Sequence, residues 1–188
     1  ISKDKEIQPE YIKSPYRKFI FTIGQFVPRK NFHVLLDAMK LMPEYDLYIC
    51  GNDEFEYGSL IKERIKNENI TNVFVTGKIT SVEKNWFYHH CEAFVFPSVF
   101  EGFGRPVIDA MQFKKPVVSS RLTSLSEIGS IYSFYLDNFD PEHIKDVVQE
   151  AITVFYKDDD FQEKQSEYAL TFSLEKHMEY YLDLYRTV

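Results

Sequence analysis

Short apolar runs alternate along the chain with longer stretches in which apolar residues recur every three or four positions, the pattern of strands alternating with helices. The runs at residues 19–23 (FIFTI), 46–50 (DLYIC), 73–75 (VFV), 93–96 (AFVF) and 117–119 (VVS) are short and nearly continuous. They suit strands buried on both faces of a parallel sheet. Between the first two, Phe32, Leu35, Leu36 and Met39 define the inner face of a helix over residues 31–42, and another is expected near 57–67. Thr80 with Glu83 forms a capping box for a third helix reaching about residue 91. Residues 132–135 read as a short sixth strand, and Asp140-Pro141 opens a helix that turns Ile144, Val147, Val148 and Ala151 inward. Leu174, Met178, Tyr181, Leu182 and Tyr185 fall along one side of a closing segment, 174–185. Residues 1–16 are polar, carry Pro9 and Pro15 and lack periodicity, so they read as a linker remnant ahead of one domain, 17–188.

This order predicts an α/β fold with a doubly wound parallel sheet, whose ligands bind beyond the carboxyl ends of the strands. Gly24, Gly51, Gly77 and Gly102 each follow a predicted strand at that end. The chemistry concentrates in residues 93–119, AFVFPSVFEGFGRPVIDAMQFKKPVVS. Pro97 stops the strand, Gly102 and Gly104 permit close backbone approach, and Pro106 suits the first turn of a helix. The free amides of that helix start, together with its dipole, favour an anionic group such as phosphate. Glu101 and Asp109 would repel a phosphate, so they need a separate purpose. They lie eight residues apart, about two helical turns if the helix were continuous. Carboxylates only accept hydrogen bonds and sugar hydroxyls donate them, so a phosphate flanked by a hexose and a ribose suits both acids.

Composition narrows the class. With 188 residues, 44% of them hydrophobic, the chain can build one α/β core but not two. A net charge of −7 with acids spread throughout argues against a nucleic-acid surface. Cys50 and Cys91 fall where buried thiols act as small apolar residues, which fits a reducing cytoplasm. No apolar run approaches the roughly 18 residues of a membrane span, and these residues are not expected to include a signal peptide. Attachment to the inner face of a membrane through another domain stays open. Three motifs are set aside. Asp158-Asp159-Asp160 contains a D-x-D of the kind that can hold a metal ion but is expected to start a helix. The side chains of His89, His90 and Cys91 diverge on a helix. The glycines fit neither G-x-G-x-x-G, because position 107 is valine, nor a P-loop.

PSVFEGFGRPVIDAM, followed by KKPVVSS, resembles the E-x7-E element of the retaining, nucleotide-sugar-dependent GT-B glycosyltransferases of the family 4 type, with Asp109 in the second acidic position. GQFVPRKN at 24–31, VFVTGKI at 73–79, SLSEIG at 124–129 and the terminal FSLEKHMEYYLDLY are similar to further segments of that family. The likeness therefore runs from about residue 19 to residue 185. It implies the carboxyl-terminal, donor-binding half of a two-domain GT-B enzyme, with the acceptor site on an amino-terminal domain absent from this chain. A nucleotide sugar is the implied substrate, with no cofactor and no metal, and the fragment alone is expected to be inactive. PRKN resembles bacterial mannosyl- and glucosyltransferases that build surface polysaccharides, which puts GDP-mannose ahead of UDP-sugars.

The resemblance also implies roles. Lys30 would stabilise the departing diphosphate with Arg29 assisting, Glu101 would meet the donor sugar, and Asp109 the ribose. The backbone at Gly24, Gly102, Phe103 and Gly104 would lie against the diphosphate and sugar, and Lys78 and Ile79 near the base. The basic residue usual after the first glycine is here Gln25, with Arg105 and Arg121 as candidate substitutes. One charge pair about 4 Å apart at an effective dielectric near 20 is worth roughly 4 kcal/mol, about a thousandfold in rate. Two other readings stay open: a sugar-nucleotide epimerase or phosphorylase on the same fold, and a non-catalytic binding or assembly domain.

Overall fold

The structure is a computed structural model that describes residues 5–13 and 16–173, together with residues 176, 178, 182, 185 and 186. Six strands form one all-parallel sheet: β1 (Phe19–Ile23), β2 (Asp46–Cys50), β3 (Val73–Gly77), β4 (Ala93–Phe96), β5 (Val117–Ser120) and β6 (Phe134–Leu136). The helices are α1 (His33–Lys40), α2 (Glu56–Asn67), α3 (Ser81–His90), α4 (Arg105–Gln112), α5 (Leu125–Gly129), α6 (Pro141–Phe155) and α7 (Asp159–Leu170). The strand order is β3-β2-β1-β4-β5-β6. The sheet grows outward from β1 to β3, and α3 then returns the chain to β4 on the other side of β1. The loops leaving β1 and β4 therefore diverge, and a crevice opens beyond the ends of those two strands.

Strand alternation divides the core into two chemically distinct layers. Ile20, Leu47, Ile49, Val95 and Val118 point to one face and pack with α1, α2 and α6 through Leu36, Met39, Ile61, Ile144 and Val148. Phe19, Phe21, Tyr48, Phe94 and Phe96 point to the other and pack with α3, α4 and α5 through Trp86, Phe87, Tyr88, Ile108, Met111 and Leu125. The aliphatic layer has few polar tips to satisfy. The aromatic layer stacks, as Phe21 does on Phe87 with ring centroids 5.0 Å apart, and Tyr88 sends its buried hydroxyl to the carbonyl of Pro106 at 3.1 Å. Burial also pushes up the thiols of Cys50 and Cys91, the latter to about 12, so both sit as small apolar groups.

Several boundaries differ from the sequence reading. The helix expected from residue 31 begins only at His33, because Pro28–Lys30 forms a 3₁₀ turn and Asn31 adopts a left-handed conformation at φ 59°. The third strand extends to Gly77, and the sixth covers Phe134–Leu136 because Ser130–Tyr132 is a 3₁₀ turn. Residues 5–13 form no helix or strand, and they are docked on the domain: Ile12 is buried, Ile7 donates to the carbonyl of Val82 at 3.2 Å, and Glu6 pairs with both His89 and His90. His89 and His90 thus reach one acid despite their adjacency, while Cys91 is buried. Asp158 caps α7, accepting the Phe161 amide at 2.9 Å, which leaves the D-x-D stretch as a helix start. Of the closing segment, Met178, Leu182 and Tyr185 are exposed, and Leu174 and Tyr181 lie outside the described residues.

Candidate active site

Two loops meet at the crevice beyond β1 and β4. The loop after β1 turns at Gly24 and ends in the 3₁₀ turn, which directs Lys30 back across the mouth of the sheet. Glycine at position 24 leaves room for the Lys30 side chain, which a Cβ there would meet tightly at 3.0 Å. Lys30 is 6% exposed, its ammonium 4.6 Å from the centre of the Phe96 ring, within cation–π range. From the loop after β4, Glu101 meets it, with Lys30 Nζ donating to Glu101 Oε1 at 2.7 Å. Arg29 donates to the same oxygen at 2.9 Å and Ser98 Oγ at 2.6 Å. Thr123 and Ser124, after β5, fix the Glu101 backbone through its amide at 3.1 Å and its carbonyl at 3.0 Å. Burial lowers the pKa of Lys30 from the ordinary lysine range, and the hydrogen bond to Glu101 offsets part of that shift. The net effect is a desolvated cation held in place by one carboxylate.

The stretch from Gly102 leads into α4. Gly104 caps the helix in a left-handed conformation at φ 98°, where a side chain would be strained and would also strike Leu125. Among the described residues, none accepts a hydrogen bond from the amides of Gly102, Phe103 or Gly104. Those amides and the α4 dipole form a site suited to an anion. Phe103 is partly exposed and meets Phe172 edge-on at 5.8 Å.

Asp109 has different neighbours. Its Oδ1 accepts from Arg105 Nε at 2.9 Å and its Oδ2 from Lys84 Nζ at 3.1 Å. It lines a cleft of about 290 Å³ between α3 and α4. Lys30, Arg29 and Glu101 are thus brought into direct contact, whereas Asp109 and Arg105 form a second cluster, separated from Glu101 by the Gly102–Gly104 turn. Arg121 belongs to neither. It lies over the Tyr135 ring at 4.2 Å and faces Asp137 at 3.4 Å. Lys78 is exposed and paired with Glu54, and Ile79 packs at the margin of the aromatic layer. Ser98 and Lys84 escaped the sequence reading. Ser98 sits three residues before Glu101 in the same loop and could have been found from that spacing, but Lys84 lies on another helix and left no local signal.

Residues 3–171 match the family described as Glycosyl transferases group 1, and the chain belongs to that family. The chain is 28% identical over 165 residues to the serotype-specific mannosyltransferase WbdA of Escherichia coli, which covers 83% of this chain and 19% of that protein. It is 33% identical over 120 residues to the O-antigen chain mannosyltransferase B of the same species, covering 60% and 31%. A solved glycosyltransferase from Rickettsia africae matches with a TM-score of 0.80 and 20% identity over 91% of this chain and 48% of that one. Anabaena HepE, in complex with UDP and glucose, matches with a TM-score of 0.79 and 17% identity over 92% and 49%. At these identities the two structures establish the Rossmann-like fold of a GT-B domain. The chain spans less than a third of either mannosyltransferase and about half of either solved structure. Among the described residues, no helix is long and apolar enough to cross a membrane, and no group of three or more His, Cys, Asp or Glu could hold a metal ion.

Proposed function

We propose that this chain is the carboxyl-terminal, donor-binding unit of a retaining hexosyltransferase of the family 4 type, transferring a hexose from a nucleotide sugar to a glycan or lipid-linked acceptor in polysaccharide synthesis. GDP-mannose leads UDP-sugars as the donor because the curated relatives above are named as mannosyltransferases. The observation that carries the reading is the buried Lys30–Glu101 contact where β1 and β4 part. A cation already stripped of water need not reorganise as the diphosphate departs, so its effect is greatest where that charge develops. The three donors on Glu101 all meet Oε1, which leaves Oε2 to accept a hydroxyl of the sugar. The amides of Phe103 and Gly104 would hold the phosphate, Asp109 the ribose, and the segment at Lys78 and Ile79 would flank the base. The acceptor site would belong to an amino-terminal domain.

Titration of the chain with GDP-mannose, UDP-glucose and ADP-glucose, in the presence of a chelator, tests this reading. Saturable binding of one donor, with GDP-mannose tightest, is the expected result. No affinity for any of the three would favour a non-catalytic assembly domain, and binding that requires a divalent metal would contradict the metal-free site.

A further inference from the structure

Asp109 is gripped from two sides, and the two grips differ in kind. Arg105 lies one turn earlier on the same helix and is 60% exposed along its side chain, so its bond to Asp109 is the ordinary weak pairing of a helix surface. Lys84 reaches across from α3, its side chain only 33% exposed, and bridges the cleft between the two helices. That cleft is lined by Ser81, Lys84, Asn85, Arg105, Asp109 and Gln112. Asn85 and Gln112 donate to the carbonyls of Lys5 and Ala169, and the two cations, the carboxylate and the Ser81 hydroxyl suit a ligand that carries both hydroxyl groups and negative charge, as a ribose phosphate does. A carboxylate has about four acceptor positions. With one N–H on each oxygen, Asp109 keeps one position per oxygen for a pair of vicinal hydroxyls.

We propose that Lys84 is a nucleotide-positioning residue, which locks the plane of the Asp109 carboxylate so that its remaining acceptor positions meet the ribose hydroxyls of the donor. This rests on the reading of Asp109 as the ribose acid. Without Lys84 the carboxylate keeps only a partner on its own helix and can rotate away. The contact spans two helices, so it also fixes the width of the cleft into which the ribose fits. Lys84 touches Asp109, not the reacting atoms, so its loss weakens nucleotide binding and leaves turnover at saturating donor unchanged.

The test is calorimetric titration of the chain with GDP, UDP and their 2′-deoxy analogues. In the wild type, the ribose nucleotide binds roughly tenfold more tightly than its deoxy analogue, the worth of one hydrogen bond to a charged acceptor. In Lys84→Met, affinity for the ribose nucleotide falls about tenfold and the preference over the deoxy form shrinks towards one. Lys84→Arg restores both, since its cation reaches the same acid. A merely structural lysine would lower affinity for the two forms equally and leave the preference intact, and that result overturns the proposal. If the wild type binds neither nucleotide, the reading of the whole site falls and this inference with it.

Discussion

Two ion-pair clusters, each an acid held by a lysine and an arginine, lie in opposite settings. Around Glu101, the lysine is 7% and the glutamate 10% exposed along their side chains, and Ser98 closes the group from beneath. Around Asp109, the acid is shielded but Lys84 and Arg105 remain partly in water. Water screens the second cluster, so its bonds orient a carboxylate without contributing much to folding. Within the first cluster Arg29 stays partly in water, but the Lys30–Glu101 pair has lost that screening. Its Coulomb attraction is strong but must offset the removal of two charges from water, so such a pair is a weak stabiliser and persists where a fixed charge is useful. On the function proposed above, the buried Lys30 cluster would serve the chemistry and the Asp109 cluster the positioning of the nucleotide.

If that division holds, the largest effect follows from removing the buried cation. Lys30→Ala in the complete enzyme should cut transfer at least a hundredfold, close to the worth of one partly desolvated charge pair. Unchanged turnover would remove Lys30 from the mechanism. The next largest effect is on stability. Glu101→Ala leaves the Lys30 ammonium buried without its carboxylate and should cost about 3 kcal/mol in urea unfolding. The joint Lys30→Met and Glu101→Gln variant removes both charges and keeps an acceptor for Ser98, so it should unfold within about 1 kcal/mol of the wild type, or later. A double variant weaker than Glu101→Ala would mean that the pair stabilises the fold outright.

The smallest effect is a pH dependence with a definite sign. The folded-state pKa of Lys30 lies below its unfolded value near 10.5, so the unfolded chain binds the proton more tightly. Stability from this group therefore rises with pH between the folded pKa and about 10.5, and its cost is complete below that window. The wild type should gain on Lys30→Met as alkaline pH is approached. A constant difference between them would show that Lys30 is not desolvated.

Much of this was legible in the residues. All six strands were placed within two residues because short, nearly continuous apolar runs have few alternatives in a parallel sheet. The family resemblance singled out Lys30 and Glu101 in loops at the carboxyl edge of the sheet, but their direct contact is visible only in the structure. The turn at Asn31 was not legible, because a left-handed asparagine looks like any helix-start residue until the preceding 3₁₀ turn is seen. The docking of residues 5–13 on α3 was also hidden, since the segment shows no periodicity and Ile7 and Glu6 find their partners more than seventy residues away. Lys84 escaped for the same reason, because its importance lies in an acid on another helix.

The central claim is that a donor diphosphate meets Lys30. It is tested most directly by measuring the affinity of the chain for GDP-mannose beside that of Lys30→Met, with unfolding curves to show that both are folded. The account predicts at least tenfold weaker binding in the variant, in keeping with a charged contact to the diphosphate. Equal affinity in the two folded proteins would contradict it.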